Sequence, residues 1–368
     1  VTAAGLLLAL LAAASQEVVH ASDIDADEQV VLFPASARPA PGGGWLAPLH
    51  AWIFEPERDS AVRGRLLSAL ADSLDLPPGS ADEALFRERA ASFLADNERG
   101  QCLELVVAGL PCALPPSAAD GHATAELRLP AGVAPDGAWL DVEASAPPGD
   151  ARRHRGRVRL VPAQGLTVVS DIDDTLKVSE VRDLQALLRR TFLQAYEAVP
   201  GMAAVFAPLA EAGASFEYLS CSPWQLGPAL LEFLRASGLP EGGLHLRAFR
   251  WKDERLLSLL AEPAAHKTPA LQALLAAHPG RRLLLVGDSG ETDPEIYGDF
   301  ARAHPGVVAG ILVRDVSAEP GDAPRWSTAF RDLPRDLWQV FRDAAELDVQ
   351  RHAETARQCT QAPTPPDR

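Results

Sequence analysis

Residues 161 to 318 alternate between two textures. LTVVS (166–170), SFEYLS (215–220) and RRLLLV (281–286) are short, largely apolar runs, the pattern of strands covered on both faces of a parallel sheet. Between and around them lie VRDLQALLRRTFLQAYEAV (181–199), MAAVFAPLAEAG (202–213), PALLEFLRASG (228–238) and TPALQALLAAHPG (268–280). Their apolar positions recur at helical spacing. A further strand is expected in GVVAGILVRDV (306–316). Strand alternating with helix predicts a doubly wound α/β domain built on a parallel sheet, assigned here to 161–330.

The first part of the chain reads differently. VVLFPASARPAPGGGWLAPLHAWIFEPE (30–57) predicts short strands around a Pro/Gly-rich turn, and ALFRERAASFLADNER (84–99) has helical spacing. CLELVVAGL, ATAELRLPAG and AWLDVEASAPP then alternate like strands. Residues 28–160 are therefore expected to form a small β-rich, sandwich-like domain with a helical insertion. Residues 1–27 hold a short apolar run followed by Val19-His20-Ala21, which fits a secretory signal and its cleavage site and is too short for a span of ~20 residues. Export, to a periplasm for example, is the expectation; an ordinary apolar helix in a cytoplasmic protein is the alternative. Residues 331–368 read as a helix giving way to a disordered, Pro-rich tail.

Charge narrows the partners. With 47% apolar and 23% charged residues the composition is that of a globular protein, but the formal net charge is −16. Such a chain repels nucleic acid and anionic surfaces, so no nucleic-acid partner is expected, and an anionic ligand needs a local basic patch or a metal ion. ARRHRGRVRL, with Arg152, Arg153, Arg155, Arg157 and Arg159, is one candidate patch; a solvated connector strand is the plainer reading. Of the four cysteines, Cys102 and Cys112 could close a short loop or remain two thiols, and no pair has C-x-x-C spacing.

Candidate chemistry sits at the expected strand ends, where ligands bind in open α/β sheets. Asp171 and Asp173 follow LTVVS directly, whereas the second Asp-Ile-Asp, at Asp23 and Asp25, follows no strand and reads as a solvated acidic patch. A calcium loop counted from Asp171 fails, because Leu176 and Arg182 stand where Gly and Glu are needed. Ser220 ends SFEYLS, Lys267 opens a helix, and Asp288 and Asp293 follow RRLLLV. Phosphoryl transfer uses such a set. A carboxylate can attack phosphorus, a second acid can protonate the leaving alkoxide, and a lysine and a hydroxyl can hold the phosphoryl oxygens. A hard cation such as Mg²⁺ would bridge the carboxylates and the phosphate. GDSGE approaches a serine-protease string, but no triad histidine precedes it in a suitable setting.

DIDDT, Ser220, Lys267 and GDSGETD resemble the four motifs of the haloacid dehalogenase-like superfamily. SDIDDTLKVSEV, YLSCSPWQL and VGDSGETDPEIY resemble more particularly the catalytic domain of actin-patch-type phosphatidate phosphatases, over about 165–318. The resemblance implies Asp171 as nucleophile, Asp173 as general acid/base, and Ser220 and Lys267 as phosphoryl holders. It implies Mg²⁺ held by Asp171, Asp288 and the backbone carbonyl of Asp173, with Asp293 in support. The implied activity is hydrolysis of phosphatidate to diacylglycerol, or of another lipid, phosphoprotein or large phosphomonoester; a catalytically idle lipid- or protein-binding module is the remaining alternative. The short stretches on either side of Ser220 suggest an open site without a separate cap. Trp224 and Trp251, with Arg247, Arg250 and Lys252 nearby, would offer peripheral contact with a phospholipid surface, or else a packed Trp and a solvated charge run.

Overall fold

The computed structural model describes residues 22, 24–56, 81–145, 147, 150–248 and 263–361. Of the signal segment read over 1–27, residues 1–21 and Asp23 lie outside these residues, as do Arg250, Trp251 and Lys252. None of the helices among the described residues is long and apolar enough to cross a membrane.

LTVVS becomes part of β10 (Gly165–Ser170), in which every residue is buried. It lies between two parallel neighbours, β11 (Ser215–Pro223) and β13 (Arg281–Asp288). The six-stranded sheet runs β12 (Gly243–Arg247), β11, β10, β13, β14 (Val308–Arg314), β15 (Trp338–Phe341), all parallel. From β10 the chain thus fills one side of the sheet and then crosses to the other. The crevice beyond the carboxyl ends of β10 and β13 is the point where ligands bind in such folds.

Alternation along the strands assigns the two faces. Leu284 and Val286 join a core with helices α3 (Met202–Glu211), α4 (Gly227–Ala236) and α8 (Val349–Gln361). Leu283 and Leu285 join the opposite core, against α5 (Pro263–Ala277), α6 (Asp293–Ala303) and α7 (Pro324–Ala329).

Three expectations need amending. The helix read over 181–199 is only α2 (Leu184–Phe192). Beyond it the chain turns back, with the Val178 amide donating to the Glu197 carbonyl and that of Val199 to the Leu176 carbonyl, each bond 2.9 or 2.8 Å; Pro200 follows, which disfavours helix at its predecessor. Between α4 and α5, where no strand is expected from the sequence, the chain adds strand β12. Finally, residues 331–361 are not a helical appendage, and the Pro-rich tail read as disordered, 362–368, lies outside the described residues. Trp338–Phe341 is the edge strand, and α8 packs through Ala353, Ala356 and Cys359 into the same core as β10 and α3.

The N-terminal region is β-rich, as expected. β1 (Gln29–Leu32), β2 (Ala35–Pro39), β3 (Trp45–Glu55), β4 (Asp96–Asn97), β5 (Glu104–Val107), β6 (Leu110–Ala113), β7 (His122–Leu129), β8 (Trp139–Ala144) and β9 (His154–Leu160) pair in one continuous, folded-over arrangement. The turn into β3 contains three consecutive glycines, Gly42, Gly43 and Gly44, with φ of 80, 97 and 79°, a left-handed path that only glycine follows without strain. Val30, Leu49, Leu105, Val142 and Val158 share its core. Helix α1 (Ala81–Leu94) is the predicted insertion. Cys102 and Cys112 are separate free thiols.

The arginine stretch leading into and along β9 is largely matched by acids: Arg152 pairs with Asp150, Arg155 with Glu143, and Arg157 with Asp141 and Glu241. Arg159 donates to the Ala214 carbonyl at 3.0 Å. This is the connector-strand reading, not an open anion patch. The two regions are packed together, since Phe33, Trp52, Phe54 and Ala95 enter the core that contains β10 and β11.

Candidate active site

The sheet extends one residue past β10: the Asp171 amide donates to the Val286 carbonyl at 2.9 Å. This locks the Asp171 backbone to β13 just before the chain leaves the sheet. Asp174 then takes a left-handed conformation, φ 53°, which Asp tolerates better than most residues. Its carboxylate accepts from the amides of Ser179, Glu180 and Val181 at 2.8, 2.9 and 2.7 Å. Arg314, at the end of β14, donates to the Asp174 carbonyl at 2.6 Å. The loop is thereby closed on itself and tied to the sheet.

All six residues singled out in the sequence converge here. The Lys267 ammonium, fully buried, lies 3.0 Å from Asp171 Oδ1, 2.5 Å from Asp293 Oδ1 and 3.3 Å from Glu291 Oε2. Thr175 donates to Asp171 Oδ2 at 3.2 Å. Asp171, Asp288 and Asp293, all buried, bring a carboxylate oxygen each to within 4.8 Å of one another. Asp288 Oδ1 accepts the Gly290 amide at 2.5 Å, while Oδ2 is buried without a partner among the described residues. Gly287 is needed for this closeness, because a side chain there would run into the Asp293 carboxylate.

Four carboxyl groups thus face one ammonium. Burial, with Asp293, Asp288 and Glu291 adding to it against the pull of Lys267, pushes the Asp171 carboxyl well above the usual range. Burial and Asp293 do the same to Asp288. Lys267 goes the opposite way: burial would lower it, but Asp171, Asp293 and Glu291 outweigh that and raise it. The excess negative charge and the orphaned Asp288 oxygen fit a hard, oxygen-loving dication such as Mg²⁺.

Asp173 turns its carboxylate away from this cluster. Oδ1 takes Lys177 at 2.8 Å and the Ser179 hydroxyl at 2.7 Å. Oδ2 takes the hydroxyls of Ser220 and Ser222 at 3.0 and 2.9 Å. Burial works against its charge, yet Lys177 and the hydroxyls prevail and hold it below the ordinary carboxylate range. A narrow cavity of about 50 Å³ opens beside Asp173, lined by α2 side chains such as Leu184, Leu187 and Leu188 and by Cys221, Ser222 and Glu291. The expected open site is therefore narrowed by α2, which stands on one side of it.

Residues given no role from sequence also reach the site: Thr175, Lys177, Ser179, Ser222 and Glu291. Each lies within the quoted motif strings, but a serine or lysine there carries no chemical signature until the loop is folded. Other sequence candidates are set elsewhere. Trp224 packs on Phe33 and His50, with ring centroids 4.6 and 4.5 Å away, so it anchors the N-terminal region. Ser289 of the protease-like string bonds to Asp315 and Ser317 at 3.2 and 3.0 Å, tying β13 to β14.

Residues 166–315 match the family described as "Phosphatidate phosphatase APP1, catalytic domain". The chain is 29% identical over 168 residues to Phosphatidate phosphatase APP1 of Saccharomyces cerevisiae, covering 45% of this chain and 28% of that protein. It is 30% identical over 188 residues to an uncharacterized protein of Schizosaccharomyces pombe, covering 50% of this chain and 31% of that one. The chain thus spans under a third of the length of these curated relatives. Among solved structures, a proposed HAD-like phosphatase from Mesorhizobium loti aligns with a TM-score of 0.32 and 14% identity, over 52% of this chain and 86% of that one. Over residues 166–315 the chain is thus similar to the catalytic domain of APP1-type phosphatidate phosphatases.

Proposed function

We propose that the chain is a Mg²⁺-dependent phosphomonoesterase that works through an aspartyl-phosphate and removes phosphate from phosphatidate. The observation that carries this reading is the convergence of Asp171, Asp288 and Asp293 around one buried lysine, with an Asp288 oxygen unpartnered among the described residues.

Asp171, Asp288 and the Asp173 carbonyl would hold Mg²⁺, supported by Asp293; bound there, the ion would neutralise phosphoryl charge and bring the phosphate up to Asp171. One Asp171 oxygen attacks phosphorus, forming the O–P bond as the ester P–O bond breaks. The departing alkoxide takes a proton from Asp173 and leaves as the alcohol, diacylglycerol for a phosphatidate substrate. Asp173, now a carboxylate, accepts a proton from the water that attacks the aspartyl-phosphate, releasing inorganic phosphate and restoring Asp171. Lys267 and the Ser220 hydroxyl hold the phosphoryl oxygens. An incoming phosphate would draw the hydroxyls of Ser220 and Ser222 from Asp173 Oδ2 and set negative charge beside it. Both changes favour the protonated form needed in the first step.

Phosphate release from phosphatidate in mixed micelles with Mg²⁺ tests the reading, with Asp171→Asn and an EDTA-treated sample alongside. Release is expected in the wild type only, with the variant down by ~10³-fold or more. Turnover of p-nitrophenyl phosphate without release from phosphatidate would discard the lipid and keep the chemistry. Silence on both substrates would discard the enzyme.

A further inference from the structure

Lys177 is one of the largest fully buried side chains, and its ammonium touches the candidate acid/base. A buried lysine is costly to desolvate, and an ion pair seldom repays that cost in stability. Its surroundings point to another purpose. Nζ bonds Asp173 Oδ1 at 2.8 Å and the Ser179 hydroxyl at 2.5 Å, and Ser179 bonds the same Asp173 oxygen. Oδ1 is therefore held wholly by its own loop. Oδ2 is held by Ser220 and Ser222 at the end of β11, the side where a phosphoryl group would enter. One oxygen is an anchor and the other is free to exchange partners.

The anchor is itself braced. The Lys177 ammonium stands 4.8 Å from the centroid of the Tyr196 ring, and the Arg89 guanidinium stands 3.8 Å from that centroid. The Tyr196 hydroxyl is buried without a hydrogen-bond partner among the described residues, so it is the ring, not the hydroxyl, that connects the two cations. Arg89 also donates to the carbonyls of Thr191 and Gln194, each at 2.6 Å, and to that of Arg190 at 3.4 Å, where α2 ends. Arg89 lies on α1, far outside the matched residues 166–315.

We propose that Arg89, Tyr196 and Lys177 form a strut that positions Asp173, making helix α1 of the N-terminal region a working part of the catalytic site. The inference rests on the proposed function for its catalytic consequence, but the strut has a structural readout of its own. These are positioning residues: they act through Asp173 and touch no substrate.

The experiment compares Lys177→Met, Lys177→Arg and Arg89→Met with the full-length wild type. Two substrates are used with Mg²⁺: phosphatidate, whose alkoxide must be protonated, and p-nitrophenyl phosphate, whose phenolate leaves unaided. Displacing Asp173 should cost Lys177→Met ~10²-fold in kcat on phosphatidate, within the range of general acid catalysis. The aryl ester should lose under ~10-fold and KM should stay within ~3-fold, since phosphoryl contacts remain. Lys177→Arg should recover part of the loss. Hydrogen exchange should quicken over 172–180 in both Lys177→Met and Arg89→Met, without change in β13 or β14. Equal losses on the two substrates would overturn the positioning role, and so would unchanged exchange over 172–180 in both variants. A wild type inactive on both substrates would overturn the proposed function; exchange would then decide the strut alone.

Discussion

At the residue scale, Asp288 carries the clearest consequence. Its Oδ2 is buried without a partner among the described residues, and Asp293 and Glu291 add negative charge beside it. An unsatisfied buried polar group costs ~1–3 kcal/mol, and like charge adds to that. Asp288→Asn removes the charge and keeps the shape, so the ion-free protein should become more stable, by roughly 1–2 kcal/mol. The wild type should instead gain its stability from the cation: at a Mg²⁺ concentration 100 times Kd the gain is about 2.7 kcal/mol. Thermal melts of both proteins with EDTA and with Mg²⁺ check this. The expected result is a crossover, with the variant higher in EDTA and the wild type higher in Mg²⁺. A wild type indifferent to Mg²⁺ would remove the metal from the site.

At the element scale, the loop after β10 depends on one side chain. Asp174 satisfies three successive amides and sits at positive φ. Asp174→Ala loses three charge-assisted bonds, each worth ~1.5 kcal/mol or more, so urea unfolding should show a loss of about 3–5 kcal/mol. Asp174→Asn, which keeps an acceptor and tolerates the conformation, should lose less than half of that. Such elements divide sharply in how far they can be read from the chain. β10 and β13 were legible because a strand buried on both faces must be a continuous apolar run. β12 (GLHLR) and β15 (WQVF) were not, because these edge strands are short and only partly covered, leaving mixed sequences. The helix of 181–199 was overread since its apolar spacing continues past Phe192, while bonds to Leu176 and Val178, invisible in sequence, turn the chain back. The same division holds in the site. Asp171, Asp173, Asp288 and Asp293 stand in motifs at strand or helix ends, with Ser220 in the second half of β11 and Lys267 in the second turn of α5. Lys177 looks like any solvated lysine until Tyr196 and Asp173 close around it.

At the scale of the whole molecule, the two regions meet through a cluster of rings, Phe33 and Trp52 buried and His50, His122 and Trp224 half-buried. His50 Nε2 and His122 Nδ1 lie 2.9 Å apart in a shared hydrogen bond, and Phe33, Trp52 and Trp224 surround them. Trp224 follows the strand that carries Ser220 and Ser222, so this contact fixes the N-terminal region against the site. Burial, then His122 and His245, lower His50 to about 3; burial lowers His122 to about 4 against a weaker upward pull from Asp120. Both are neutral in the folded protein where an unfolded chain, with histidines near 6.5, would already bind protons. The sign follows: the unfolded state holds more protons between about 6.5 and the folded values, so stability is complete above pH 6.5 and falls as pH is lowered through that window. Each unit of pH costs up to about 1.4 kcal/mol per neutral histidine, and because the pair is coupled the loss by pH 5.5 should be roughly 1–3 kcal/mol in all. Urea unfolding at pH 7.5 and 5.5 measures it, with His50→Gln/His122→Gln as the comparison. Carboxylates contribute equally to both proteins, so the difference isolates the histidines. The double variant should start less stable and lose less on acidification; an equal loss in the two proteins would mean that the ring cluster admits protons while folded and does not latch the regions together.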